Sequence, residues 1–225
     1  MTQQGKINTL FLSYDGMTDS LGQSQVLPYL VGLSKQNFHI TIISFEKEEA
    51  FEKNKASIQQ IVDTNQITWL PLKYTKKPPV FSTIYDVYRL KNLVKKQIKS
   101  NHIQIIHCRS YITALIGLWA KKKFGTKFIF DMRGFWADER VDGNIWNLEH
   151  PLYKKVYQFF KQQEIEFLQN ADYTISLTHN AKNEIYSWES FKNEKPLIEI
   201  IPCCVDTNLF SKVNVNKQEV RNWKQ

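Results

Sequence analysis

Ile201-Pro202-Cys203-Cys204-Val205-Asp206-Thr207-Asn208-Leu209-Phe210 follows a short apolar run, turns at a proline and ends in an Asp-Thr-Asn-Leu-Phe hook. The run ahead of it, Leu197 to Ile201, has the length and apolarity of a buried strand. A strand that leaves through a proline into a polar hook reads as the exit from one folded unit toward another. The stretch beyond, Ser211 to Gln225, is polar and reads as a piece of linker or the first turn of a further element. The expected organisation is one domain over residues 1–202 and the start of an interdomain linker over 203–225. The unit to which that linker leads is expected to be absent from the chain.

Outward from this exit, strand-like and helix-like patterns alternate along the whole sequence. Ile7 to Leu12, Ile40 to Phe45, Ile67 to Leu70, Ile103 to His107, Lys127 to Asp131, Tyr173 to Leu177 and Leu197 to Ile201 are short β-rich runs. Apolar residues at helical spacing mark Gly22 to Gln36, with Pro28 in its first turn, then Glu46 to Thr64 and Tyr111 to Phe124. Later helices run from about Pro151 to Asn170 and from about Asn180 to Phe191. Val87, Leu90, Val94 and Ile98 line one face of a further helix, which Arg89, Lys91, Lys95, Lys96 and Lys99 cover elsewhere. Pro71 is expected to end the third strand. A long loop containing Gly134 and Gly143 is expected after the fifth. Seven strands separated by helices predict an α/β fold, a parallel sheet of about seven strands with helices on both faces. Right-handed crossovers then gather the loops that follow the strands along one edge, where such sheets bind ligands.

Composition narrows the class. The chain has 225 residues, 42% hydrophobic and 23% charged, which suits one globular domain with a well-buried core. No apolar run approaches the ~20 residues that span a bilayer. Met1-Thr2-Gln3-Gln4-Gly5-Lys6 has no signal-peptide pattern, so a cytoplasmic location is expected. Three cysteines make no disulfide framework, and the adjacent Cys203 and Cys204 are expected to be reduced, small and buried. The five histidines show no metal-ligand spacing, so no metal is expected. A net charge of +8 and a pI near 9.2 suggest an anionic partner: nucleic acid, an acidic membrane surface or a phosphorylated substrate.

Four loops carry the residues with chemistry. Ser13 to Ser24 runs from the first strand into a helix, and Gly16 and Gly22 permit close backbone approach beside a helix N-terminus that favours an anion. An ordinary turn with its cap is the alternative. His107-Cys108-Arg109 lies at the end of the fourth strand, where the histidine can hold a hydroxyl and the arginine an anion, the alternative being a hydrogen-bonded structural histidine and a solvated arginine. Asp131-Met132-Arg133-Gly134-Phe135-Trp136-Ala137-Asp138-Glu139-Arg140 combines carboxylates with aromatic platforms, which suits a sugar's hydroxyls and C–H face. A salt-bridged surface loop is the blander reading. The fourth loop is the opening segment, where Asp206 caps or braces the crossover.

With these loops in order, the chain resembles the N-terminal domain of retaining glycosyltransferases of family 4, which have the GT-B fold, over residues 7 to 210. The last segment is similar to that family's Ile-Pro-x-Gly-Val-Asp-x-x-x-Phe pattern, with Cys204 standing where the glycine would. The resemblance implies two Rossmann-like domains facing across a cleft. The N-terminal one binds the acceptor, and the C-terminal one binds a nucleotide-sugar through two glutamates separated by seven residues. No two glutamates here have that separation, so the chain is expected to lack the donor domain. Many relatives have a histidine at the end of the fifth strand, where Asp131 stands. By resemblance, Asp131 and His107 are the catalytic candidates, and Arg109 and Arg133 hold the acceptor, with Asp138 and Glu139 as second choices. Gly16 and Gly22 then form the loop nearest the donor diphosphate, and Asp206 is interdomain. The nucleotide-sugar is a co-substrate, and no other cofactor is implied.

The function implied is the acceptor half of an enzyme that moves a sugar from a nucleotide-sugar to a glycan or lipid-linked acceptor, inactive by itself. A second reading is a basic peripheral membrane-binding module without catalysis of its own. In it the Lys73 to Pro79 loop and the Arg89 to Lys99 helix sit on anionic lipid. The two readings are compatible. Nucleic acid is not expected as a partner, because no stacking, zinc-finger or RNA-recognition signature is present and the positive charge is spread along the chain.

Overall fold

Strands β1 (Ile7–Ser13), β2 (Phe38–Glu46), β3 (Thr68–Lys73), β4 (Ile105–Arg109), β5 (Lys127–Asp131), β6 (Tyr173–Ser176) and β7 (Ile198–Ile200) form one sheet in a computed structural model that describes residues 5–204. Their order is β3-β2-β1-β4-β5-β6-β7, and every neighbouring pair is parallel. The connections hold helices α1 (Leu27–Ser34), α2 (Glu48–Thr64), α3 (Phe81–Asn101), α4 (Ser110–Phe124), α5 (Trp136–Asp142), α6 (Pro151–Asn170) and α7 (His179–Ser187). The expected Rossmann-like parallel sheet of seven strands is the one observed.

Parallel strands joined by helices need cover on both faces, so central strands are apolar at consecutive positions. In β1, Phe11 turns to one face and meets Leu27 and Leu30 of α1 and Ile58 and Val62 of α2. Leu10 and Leu12 turn to the other, where Leu90 and Val94 of α3, Ile112 of α4 and Phe167 of α6 complete a second core. Helix α4 sits closest to the sheet at Gly117. A Cβ there would lie 2.5 Å from both Cys108 Sγ and the Phe128 ring.

Several boundaries differ from those expected. Pro71 does not end β3 but lies inside it, opposite Ser44. Since β3 is an edge strand, a residue without an N–H can be accommodated there. Residues 136–142 form α5 rather than loop, a helix too short for its periodicity to register. The last helix breaks at Trp188, and Glu189–Phe191 is a separate 3-10 turn. Adjacent aromatics in a helix of this kind read as core, yet of Phe159 and Phe160 in α6 only Phe160 is buried. Cys203 and Cys204 are exposed rather than buried, because they lie past the last paired residues of β7. Asp206 and most of the expected linker, residues 205–225, lie outside the described residues.

Asp172 fastens the start of β5 to the start of β6. Its carboxylate accepts the Phe128 N–H at 2.8 Å, Lys121 Nζ at 2.8 Å and Lys127 Nζ at 2.9 Å. Partial burial alone would raise its pKa, but these three donors outweigh that and hold it below the ordinary 3.8. A depressed carboxylate contributes stability above its ordinary pKa and loses it as pH falls through the folded value. We therefore expect Asp172→Asn to cost about 1–2 kcal/mol at neutral pH, discounted for partial exposure. The difference from wild type should shrink below pH 3.8 in urea denaturation. A pH-independent difference would assign the effect to something other than the charge.

Candidate functional site

Strand order reverses between β1 and β4, because β2 and β3 run off one side of β1 and β5 to β7 off the other. In an open α/β sheet the crevice beyond the strand ends at such a reversal is where ligands bind. Ser13, Arg109 and Asp131 stand level across β1, β4 and β5, and His107 is one pleat below Arg109 on the same face. The sheet register thus brings His107, Arg109 and Asp131 together from positions that the sequence reading had placed in two separate loops.

Around Asp131 the charges approach without closing. Its Oδ2 lies 3.6 Å from His107 Nε2 and 3.8 Å from Arg109 Nη1, and its Oδ1 lies 3.8 Å from Arg133 Nη1. The side chains of His107, Arg109 and Asp131 are at most 8% exposed. Yet His107 Nε2, Arg109 Nε and Asp131 Oδ1 are buried without a hydrogen-bond partner among the described residues. Buried polar atoms are nearly always paired, and an unpaired one costs about 1–3 kcal/mol. Three of the five such side-chain atoms among the described residues lie in this one cluster, the others being the Thr126 and Thr174 hydroxyls. Burial lowers the pKa of Arg109, and neighbouring Arg133 lowers it further, against the pull of Asp131 and Asp15. Tyr29, whose ring is 6.1 Å from that of His107, has its phenol pKa raised by burial and by Asp131.

Two of the six positive-φ non-glycine residues among those described adjoin this cluster. Ser110 and Arg133 follow the ends of β4 and β5 with φ of 68° and 65°. Non-glycine residues in this region cost of order 1–3 kcal/mol and cluster at functional sites. Arg133 is held there by bonds from its Nη2 to Gln25 Oε1 at 3.2 Å and Cys203 Sγ at 3.0 Å. Cys204 is not among the positive-φ residues, so the cysteine in the glycine's place needs no left-handed backbone.

The first loop is set by a residue that sequence reading assigned to a helix. Glu46 is the last residue of β2 and buried. Its carboxylate accepts the N–H groups of Met17 at 2.9 Å and Thr18 at 3.0 Å, the Thr18 hydroxyl at 2.5 Å and the Ser44 hydroxyl at 2.5 Å. Gly16 is needed because a Cβ would lie 2.6 Å from Glu46 Oε2, and Gly22 because one would lie 2.6 Å from Met17 Cα. Both expected glycines therefore serve close approach. Met17 and Thr18 already donate their amides to Glu46, so an anion at this loop must be met by other donors.

Asp138 and Glu139 stand apart from the cluster. Asp138 accepts from Tyr157 Oη and Lys161 Nζ, each at 2.8 Å, and lines an open pocket of about 540 Å³ with Phe135, Glu164 and Trp188. Glu139 is exposed and folds over Gly134. The buried carboxylate here is Glu164, bonded to the Tyr111 hydroxyl, which also reaches the Gly134 carbonyl at 3.3 Å. Burial raises the Glu164 pKa, against hydrogen bonds from Lys161 and Tyr111. Gln25, Tyr29, Asp15, Glu46 and Cys203 were not singled out from sequence. Only the sheet's register and the return of the chain to this edge collect them.

A seven-stranded parallel sheet with such a cluster at its switch point is a Rossmann-like domain of the kind that forms the N-terminal half of GT-B glycosyltransferases. Residues 25–209 match the model of Glycosyltransferase Family 4, and the chain belongs to that family. No curated protein sequence matches it. Among solved structures it is similar to sucrose-phosphate synthase from Thermosynechococcus elongatus, with a TM-score of 0.59 at 12% identity over 94% of this chain and 53% of that one. The protein LpCGTa in complex with UDP gives 0.60 at 12% identity over 96% of this chain and 62% of that one. Anabaena Alr3699/HepE in complex with UDP and glucose gives 0.54 at 10% identity over 97% and 50%. The chain thus spans about half the length of these proteins.

Glu46→Gln tests the clamp on the first loop. An amide can accept at one oxygen only, which leaves donors of Met17, Thr18 or Ser44 unpaired, so we expect a loss of about 2–4 kcal/mol. An unchanged urea midpoint would show that the carboxylate does not hold the loop.

Proposed function

We propose that this chain is the acceptor-binding half of a retaining, cytoplasmic glycosyltransferase that moves a sugar from a nucleotide-sugar to a glycan or lipid-linked acceptor. The observation that carries the reading is the trio of buried, unpartnered atoms on His107, Arg109 and Asp131. A polyhydroxyl acceptor supplies the matching groups: hydroxyl donors for Asp131 Oδ1 and acceptors for His107 Nε2 and Arg109 Nε. Arg133 adds positive charge at the rim, where it offsets charge developing on a departing diphosphate. Fixing the acceptor hydroxyl in this way is catalysis by positioning, because the attack becomes effectively intramolecular once the donor is in place. The family match and the UDP held by two similar structures favour a nucleotide-sugar donor as co-substrate.

Donor binding in this reading belongs to a second domain, so the purified 225-residue chain should turn over no nucleotide-sugar by itself. Measurable transfer by the chain alone would overturn that half of the proposal. When the chain is joined to a donor-binding half that restores transfer, Asp131→Ala and Arg133→Ala should each lower kcat/KM by about 100-fold or more. Full activity in both variants would remove the site from the reaction.

A further inference from the structure

The first half of α3 leaves four large side chains in solvent: Phe81 is 66% exposed, Ile84 60%, Tyr85 54% and Tyr88 63%. At about 100° per residue these four directions fall within roughly 100° of arc, so they form one stripe. The helix has its own buried side in Ser82, Asp86, Leu90 and Val94, which pack against the fold. Along the same stripe the second half of the helix turns basic, with Lys95, Lys96 and Lys99 all exposed. Lys76 and Lys77, in the loop that leads into α3, are exposed as well. Among the described residues none of these five lysines forms an ion pair. Arg89, by contrast, is drawn inward to Asp86 and the Lys73 carbonyl and is not part of the basic face.

The solvent side of an amphipathic helix is normally polar, and a contiguous exposed apolar patch marks an interaction surface. We infer that this stripe docks on an anionic membrane, with Phe81, Ile84, Tyr85 and Tyr88 in the headgroup region and the lysines on lipid phosphates. Charge complementarity accounts for the lysines. Ile84 decides among anionic partners, because the bases of a nucleic acid can accept stacked aromatic rings but offer no apolar layer for an aliphatic side chain, whereas a headgroup boundary accepts all four. At a headgroup boundary, tyrosines bury their rings and keep their hydroxyls wet.

Docking here also orients the candidate site. Helix α3 begins just after β3, at the sheet edge where Arg109 and Asp131 lie. Asp86, in the apolar half of the helix, accepts from the Tyr14 hydroxyl at 3.1 Å and so ties α3 to the first loop. The end of the helix nearest the site is the end that enters the membrane. This inference rests on the proposal above only in making a lipid-linked acceptor the natural substrate. Vesicle binding is measured without any sugar, so its failure leaves the transfer reading standing, and a failed transfer assay leaves the docking standing.

The test is co-sedimentation of the 225-residue protein with phosphatidylcholine vesicles, with and without phosphatidylglycerol. We expect binding that requires the anionic lipid and weakens with salt. Replacing Phe81, Ile84, Tyr85 and Tyr88 together by Ser should weaken it about 100-fold or more, and Lys95→Gln, Lys96→Gln and Lys99→Gln about fivefold each. Should the fourfold variant shift the denaturation midpoint, the single variants Phe81→Ser and Tyr88→Ser carry the comparison. Binding by the serine variants equal to wild type, binding indifferent to lipid charge, or no binding would each overturn the inference. So would a dimer abolished by the serine variants without vesicle binding, or a salt-sensitive RNA complex that vesicles do not displace.

Discussion

A buried carboxylate, on a strand end or a helix, that accepts hydrogen bonds from a neighbouring segment is the interaction on which the loop edge of this domain depends. Loops that leave a parallel sheet carry N–H groups with no ladder partner, and burying them unpaired is costly. Glu46 takes the amides of Met17 and Thr18. Asp86 takes the Thr75 amide and hydroxyl together with the Tyr14 hydroxyl. Glu164 holds Tyr111, which reaches the Gly134 carbonyl. Each carboxylate lies outside the Asp131 cluster, and each fixes a loop that borders it. An ionised acceptor makes stronger bonds than a carbonyl, so three side chains can hold an edge that has little regular structure.

Against this paired surround, the unpaired atoms of His107, Arg109 and Asp131 stand out. Of the five buried side-chain atoms without a partner among the described residues, three gather here, and the other two are the isolated hydroxyls of Thr126 and Thr174. The positive φ of Ser110 and Arg133 adds to this, since both lie directly beyond the strands that carry the cluster. Unpaired groups and backbone strain at one place are the observations on which the proposed acceptor site rests. The exposed stripe of α3 belongs to the same economy of edges, since Asp86 anchors the helix whose outer side carries it.

The alternation of strand and helix was legible in the sequence because it rests on local periodicity, which depends only on residues close along the chain. Seven strands and the parallel class followed from it. Boundaries were less legible where a tertiary neighbour decides them. Glu46 belongs to β2 because the loop at Met17 and Thr18 needs its carboxylate, whereas its charged neighbours made it read as the first residue of a helix. Pro71 stays within β3 because that strand has an unpaired outer side. Cys203 and Cys204 read as buried from their chemistry, and are exposed because β7 ends before them.

Of the site, the sequence by itself determined the residue types and their places along the chain: His107 at the end of the fourth strand with Arg109 in the loop beyond it, Asp131 at the end of the fifth and Arg133 just after. It also gave the glycines at 16 and 22 their need for close approach. The structure carries β4 on to Arg109. Only the tertiary structure decided that Arg109 and Asp131 stand side by side, and that Asp138 and Glu139 lie apart from them. It alone showed that the Met17 and Thr18 amides already have a partner. Side-chain type and periodicity are local properties of a chain. Register between strands far apart in sequence, and the pairing of every buried donor, are set only when the whole sheet closes on its two cores.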